Sequence, residues 1–144
     1  MTAAYAETDR PKAGLTAGRW ATLGLLAAAG SIAAVLVVQL VALALWPDAR
    51  LFAPLDSYAR SALFTLVPAV GATLVFAWLA RRRARPVRDF VILSAVLLAL
   101  SLIPDYVLPG PHRTLLASSV AALLHIVAAT VIVGVLVAGY RHWR

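Results

Sequence analysis

The sequence predicts an all-α integral membrane protein, a bundle of four transmembrane helices with N and C termini cytoplasmic. Three observations predict it. Four stretches carry no charge: Trp20 to Pro47, Ser61 to Ala80, Phe90 to Pro104 and Thr114 to Tyr140. The 144 residues are 62% hydrophobic and only 13% charged, where a soluble domain is apolar over roughly half its length. The net charge of +7 is unevenly placed along the chain, and its placement sets the topology.

A bilayer core of about 30 Å needs about 20 apolar residues in helical form. The first, second and fourth stretches meet that length, and the third is completed by its flanks. A membrane barrel would show alternating polarity over segments of about 10 residues. These runs are uniformly apolar and rich in Ala and Leu, and in lipid such runs satisfy their backbone as helices. The first run exceeds the apolar core of about 7 to 15 residues of a signal peptide, so it is read as a retained span. Four spans with short connections form one domain, residues 19–144, and leave no room for a soluble catalytic module. No cysteine is present, which excludes disulfides, thiolate chemistry and cysteine metal sites and leaves the redox compartment open.

Ten basic residues lie before span one, between spans two and three, and after span four: Arg10, Lys12, Arg19, Arg81, Arg82, Arg83, Arg85, Arg88, Arg141 and Arg144. Only Glu7, Asp9 and Asp89 oppose them. In the other two loops Arg50, Arg60 and Arg113 balance Asp48, Asp56 and Asp105. The positive-inside rule then puts both termini and the arginine loop in the cytoplasm. An even number of spans demands the same.

Residues 1–18 are small and polar and read as a disordered cytoplasmic tail. Helix one covers about 20–46, bracketed by Trp20 and Trp46 as interface anchors, with a small stripe of Gly24, Ala28, Ser31 and Val35 for close helix contact. Asp56 is placed as the N-cap of helix two, about 57–82, with Arg60 in favourable i,i+4 order. Pro68 and Gly71 sit near its middle, where a kink is tolerated in a bundle. Helix three, about 86–107, starts on Pro86, and Asp89 suits its positive end. An outer turn of Pro109, Gly110, Pro111 and His112 leads to helix four, about 114–141. No internal repeat of the transporter kind is visible.

His125 is the first candidate, because an ionisable residue inside the membrane is a functional hypothesis by default. Ala121, Ser118 and Thr114 continue its face toward the outside as a weak polar stripe. By helical rise His125 lies roughly 16 Å below the outer start of its helix, and Gln39 about 10 Å below the outer end of helix one. The favoured reading is a neutral ring that clasps helix four to helix one through Gln39. Proton or ligand handling and haem or metal ligation are the alternatives, although one histidine falls short of the usual three or four metal ligands. Ser94, Leu98, Ser101 and Asp105 form a second polar face on helix three. Asp105 reads as an interfacial carboxylate beside Pro104, or a partner of Arg113 or Arg60. Straight helices separate it from His125 by roughly 12 Å in depth, which argues against a direct pair. Arg81, Arg82, Arg83, Arg85 and Arg88 mark topology and attract anionic lipid headgroups; between two spans they do not read as a nucleic-acid site. No Ser-His-Asp set at consistent depths, phosphate loop or carboxylate pair emerges, and no cofactor or metal is expected.

The second half carries RPVRDF at 85–90, LALSLIP at 98–104 and ALLHIVAATVIV at 122–133. Through these motifs it resembles a bacterial family of small four-span membrane proteins known as domain of unknown function 6069. The likeness covers about residues 60–140, while the first span fits by hydropathy. The resemblance implies a four-helix membrane fold with no assigned activity, and it marks Ser101, Pro104 and His125 as signature positions.

The reading that follows is a multi-pass protein of the bacterial cytoplasmic (plasma) membrane. Its role is a non-enzymatic structural or accessory subunit, in contact with membrane lipids and open to homo-oligomers or a larger membrane complex. A small transporter or channel-like oligomer with outward-opening polar stripes is the first alternative. A lipid- or quinone-acting enzyme with His125 as base is the second, weakened by the lack of an activating partner.

Overall fold

A computed structural model describes residues 14–144. It has four long helices, α1 (Ala17–Leu45), α2 (Tyr58–Arg82), α3 (Pro86–Val107) and α4 (Leu115–Trp143), and no strand among the described residues. All four are long and apolar enough to cross a membrane. Two short 3-10 segments, Pro47–Leu51 and Ala53–Leu55, join α1 to α2. Of the expected tail, residues 1–13 lie outside the described residues, while Ala17 and Gly18 already belong to α1.

Local chemistry explains the boundaries. Thr16 caps α1 by accepting from the Arg19 N–H at 3.4 Å. Leu15 and Trp20 flank that cap at the positions of a hydrophobic staple and are buried in one cluster. Ser57, not Asp56, caps α2, accepting from the Arg60 N–H at 3.3 Å. Asp56 instead pairs with Arg60 at 2.8 Å. That pair, with the Arg60 guanidinium on the Ala53 carbonyl at 2.6 Å, ties the 3-10 segment to the first turn of α2. Pro86 opens α3, where its missing N–H costs no helical bond. Thr114 caps α4 through the Ala117 N–H at 3.1 Å. Helix α2 runs unbroken through Pro68, and α3 through Pro104.

The helices alternate in direction and pack as a ring, α1 against α2 and α4, and α3 against α2 and α4. One end carries the start of α1, the arginine loop and the end of α4; it is called the basic end below. There each helix contributes one ring: Trp20, Phe76, Phe90 and Tyr140. Phe76 stacks on Phe90 at 4.3 Å between centroids, meets Trp20 edge-on at 5.5 Å and leans on Tyr140 at 5.1 Å. Trp20 is therefore buried and is not an interface anchor, because α1 starts almost a turn before it. Trp46, the C-cap of α1, and Trp78 of α2 are exposed.

The opposite end is filled differently. The 3-10 segments fold inward, burying Ala49, Phe52 and Leu55 with Val35, Ala42 and Leu43 of α1 and Ala117, Val120 and Ala121 of α4. Small residues let the helices close up on the side of the basic end. A methyl group on Gly24 would stand 3.0 Å from Thr73 Cγ2 of α2, and one on Gly139 would overlap Leu23 Cδ2 of α1.

Candidate functional site

The polar centre of the bundle lies where the end of α3 meets α4. The Ser118 hydroxyl donates to the Asp105 carbonyl at 2.6 Å, which fixes those two residues at one level. His125 follows Ser118 by seven residues, so both share one face of α4. That face is turned to α3.

Asp105 and His125 form a direct contact, with Oδ2 3.4 Å from Nε2. This corrects the expectation that their depths keep them apart. At the Cα level His125 is indeed about 10 Å nearer the basic end than Asp105. Side chains on a helix, however, tilt toward its N-terminus. On α3 that tilt carries the carboxylate toward the basic end, and on antiparallel α4 it carries the imidazole the other way. The two tilts close the gap. Oδ2 has no aligned hydrogen bond among the described residues, so the contact is one of charge and distance. The Asp105 side chain is 8% exposed and that of His125 is 45% exposed.

The other expected partners of Asp105 are engaged elsewhere. Arg113 donates to the Tyr106 carbonyl, and Arg60 holds Asp56 and Ala53. Gln39 does not clasp His125. It is fully buried, and its Nε2 donates to the Leu55 carbonyl at 3.2 Å. The inward fold of the 3-10 segment presents that carbonyl to α1, whereas His125 is turned to α3. Gln39 Oε1 has no hydrogen-bond partner among the described residues.

The expected outward stripe above His125 is closed. Ser118 and Ala121 are buried, and Thr114 is spent on the helix cap. On α3, Ser94 and Ser101 are half-buried on the face that carries Asp105. Ser101 returns its proton to the Leu98 carbonyl at 2.7 Å. Among the described residues no three His, Cys, Asp or Glu side chains converge to hold a metal.

At the basic end Arg81, Arg82, Arg83, Arg85 and Arg88 are all exposed. Arg81 and Arg82 end α2, where the helix dipole favours a cation. Arg19 crosses to the Trp143 carbonyl at 3.2 Å, joining the first turn of α1 to the last of α4. Arg144 lies over the Tyr140 ring at 5.7 Å.

Sequence reasoning missed one interior stripe, Ser61, Thr65, Ala69 and Thr73 on α2, all buried. Their four-residue spacing was its signal. Each hydroxyl bonds the carbonyl four residues back, Ser61 to Ser57, Thr65 to Ser61 and Thr73 to Ala69. These groups therefore pack as small residues and present no polar path.

The family of unknown function DUF6069 matches residues 15–142. The chain belongs to that family. The match takes in the first span as well as the second half, so all four helices, but for the last residue of α4, and the Asp105–His125 contact lie within the DUF6069 region. No curated protein and no solved structure matches the chain.

Proposed function

We propose that this DUF6069 protein is a non-enzymatic structural or accessory subunit of a bacterial cytoplasmic membrane, assembled with other membrane proteins. Its termini and arginine loop face the cytoplasm and contact anionic lipid headgroups. One observation carries the reading: the bundle is plugged at both ends. Four rings fill the basic end, and the folded-in 3-10 segments, latched by Gln39 on Leu55, fill the other. A filled bundle suits a protein whose business is its outer surface. The charge asymmetry supports the orientation, and the exposed arginines support the lipid contact.

The test is purification from native membranes in native lipid. A partner protein or a further copy that stays bound supports the reading; a lone monomer counts against it. A reporter fused after Arg144 and active only outside the cytoplasm would overturn the topology.

A second reading follows from the half-exposed His125 beside Asp105. The pair sits at the side of the bundle, which favours an oligomeric transporter with its path between copies. Flux in liposomes that disappears in His125→Ala and Asp105→Asn would establish that reading in place of the first. Asp105 is also the partner that a basic His125 would need, so a lipid- or quinone-converting activity abolished by the same variants would end the non-enzymatic reading.

A further inference from the structure

Positive charge gathers at one turn of the bundle. Arg81, Arg82, Arg83, Arg85 and Arg88 are all exposed, and Asp89 is the only acid among residues 81–89. The charge contacts among the described residues lie elsewhere, at Asp56–Arg60 and Asp105–His125. Two other arginines of the basic end are engaged, Arg19 on the Trp143 carbonyl and Arg144 over the Tyr140 ring. Blocks of like charge repel, so the turn between α2 and α3 favours an anion.

The backbone beneath these arginines is fixed. Arg83, Ala84 and Arg85 alone join α2 to α3. The two helix ends are set against each other by Phe76 stacked on Phe90 at 4.3 Å and by the buried Pro86. Counted by helical rise from that stack, Arg82 lies about 9 Å, Arg85 about 8 Å and Arg88 about 3 Å toward the basic end. Side chains tilt toward the N-terminus of their helix. On α2 that tilt draws Arg82 back toward the membrane, and on antiparallel α3 it carries Arg88 outward. The guanidinium groups of the two helices thus close on one level.

That level is where lipid phosphates lie. Trp78 precedes Arg82 by one turn on the same face, Ile92 follows Arg88 by one turn, and both are exposed. Exposed tryptophan marks the boundary between headgroups and hydrocarbon, and the two apolar side chains flank the path of the acyl chains. Guanidinium binds phosphate as a two-pronged fork. A headgroup with two phosphates can engage α2 and α3 together. Once one phosphate is held, the second binds at a high effective concentration, an advantage that separate single-phosphate lipids lack.

We propose that the α2–α3 turn is a site for one phospholipid carrying two phosphates, held by Arg82 from α2 and by Arg85 and Arg88 from α3. This rests on the headgroup contact read above and names the lipid and the site. The bound lipid braces α3, whose buried residues are Pro86, Phe90 and Asp105 alone, against its neighbour.

The test places the full chain in phosphatidylcholine nanodiscs containing either cardiolipin or twice as many phosphatidylglycerol molecules, so that phosphate is matched. Native mass spectrometry should show one cardiolipin retained per chain and phosphatidylglycerol held more weakly. Arg82→Gln, Arg85→Gln and Arg88→Gln should each lower cardiolipin affinity about fivefold. Arg141→Gln, an exposed arginine at the same end, should leave it unchanged. Inorganic pyrophosphate in the buffer should not displace the lipid. An equal loss in Arg141→Gln, or displacement by pyrophosphate, would overturn the proposal. If matched phosphatidylglycerol is retained as well as cardiolipin, this site fails and the general headgroup contact stands. If neither anionic lipid is retained above phosphatidylcholine, both fail.

Discussion

Replacing Phe76 by alanine should weaken the bundle more than any comparable change on the exterior of α2. Phe76 is fully buried and touches a ring from each of the other three helices. In lipid the usual transfer term largely drops out, because the side chain leaves one apolar medium for another. What remains is packing. A void on the order of 100 Å³, at about 24 cal/mol per Å³, costs about 2.4 kcal/mol. Aromatic contacts at about 0.5–1.5 kcal/mol each give an overlapping estimate, so the expected loss is about 2–4 kcal/mol. Phe64 on the same helix is 69% exposed, and Phe64→Ala should change stability by less than about 0.5 kcal/mol. Unfolding in mixed SDS micelles can be followed by energy transfer between dyes at Gly18→Cys and His142→Cys, which lie at one end of the bundle. Equal losses for the two phenylalanines, or a Phe76→Ala loss below about 0.5 kcal/mol, would refute the four-ring plug.

Gly139→Ala should destabilise by about 1–3 kcal/mol, as overpacking does, because its methyl group overlaps the buried Leu23; adding Leu23→Ala should restore part of the loss in the same unfolding assay. Gly134→Ala, with nothing near the added carbon, should be neutral. Ser118→Ala should cost about 1 kcal/mol by stranding the Asp105 carbonyl, and hydrogen exchange should rise at the end of α3. Gln39→Leu should release the Leu55 carbonyl and speed exchange in the 3-10 segments while leaving the basic end protected.

The spans were legible because lipid imposes one rule on every exposed segment, that its backbone bonds stay within the helix. Pro86 likewise declared its place by the helix start. Which side chains face inward was not legible. Phe64 and Phe76 stand in the same apolar helix, one exposed and one buried, and a helix apolar all round has no polar face to tell them apart. Trp20 was misread because its place in the bundle depends on a helix start set by Thr16, not on its position at the edge of an apolar run. The Asp105–His125 contact escaped because counting rise locates Cα atoms, while the reactive atoms sit a side chain away along opposing tilts. The Gln39 partner escaped because it belongs to a loop that folds back into the bundle, which hydropathy does not register.

The two ends of the bundle are held by different physics. Most interior hydroxyls, those of Ser31, Ser61, Thr65 and Thr73, return their protons to their own helix and specify no neighbour. Among the described residues, the side-chain polar contacts buried between elements are those of Gln39 with Leu55, Ser118 with Asp105, and Asp105 with His125. All three engage the end opposite the arginines or the approach to it. Rings of four helices do the same work at the basic end without a buried side-chain hydrogen bond of their own among the described residues. Stacked rings reward closeness and tolerate small rotations, whereas the Ser118 bond ties one atom of α4 to one carbonyl of α3. The register of α3 on α4 is thus set at one end, near Asp105, and packed at the other, near Phe90. The stretch of α3 between these two fastenings is left uncovered, and His125 stands beside it.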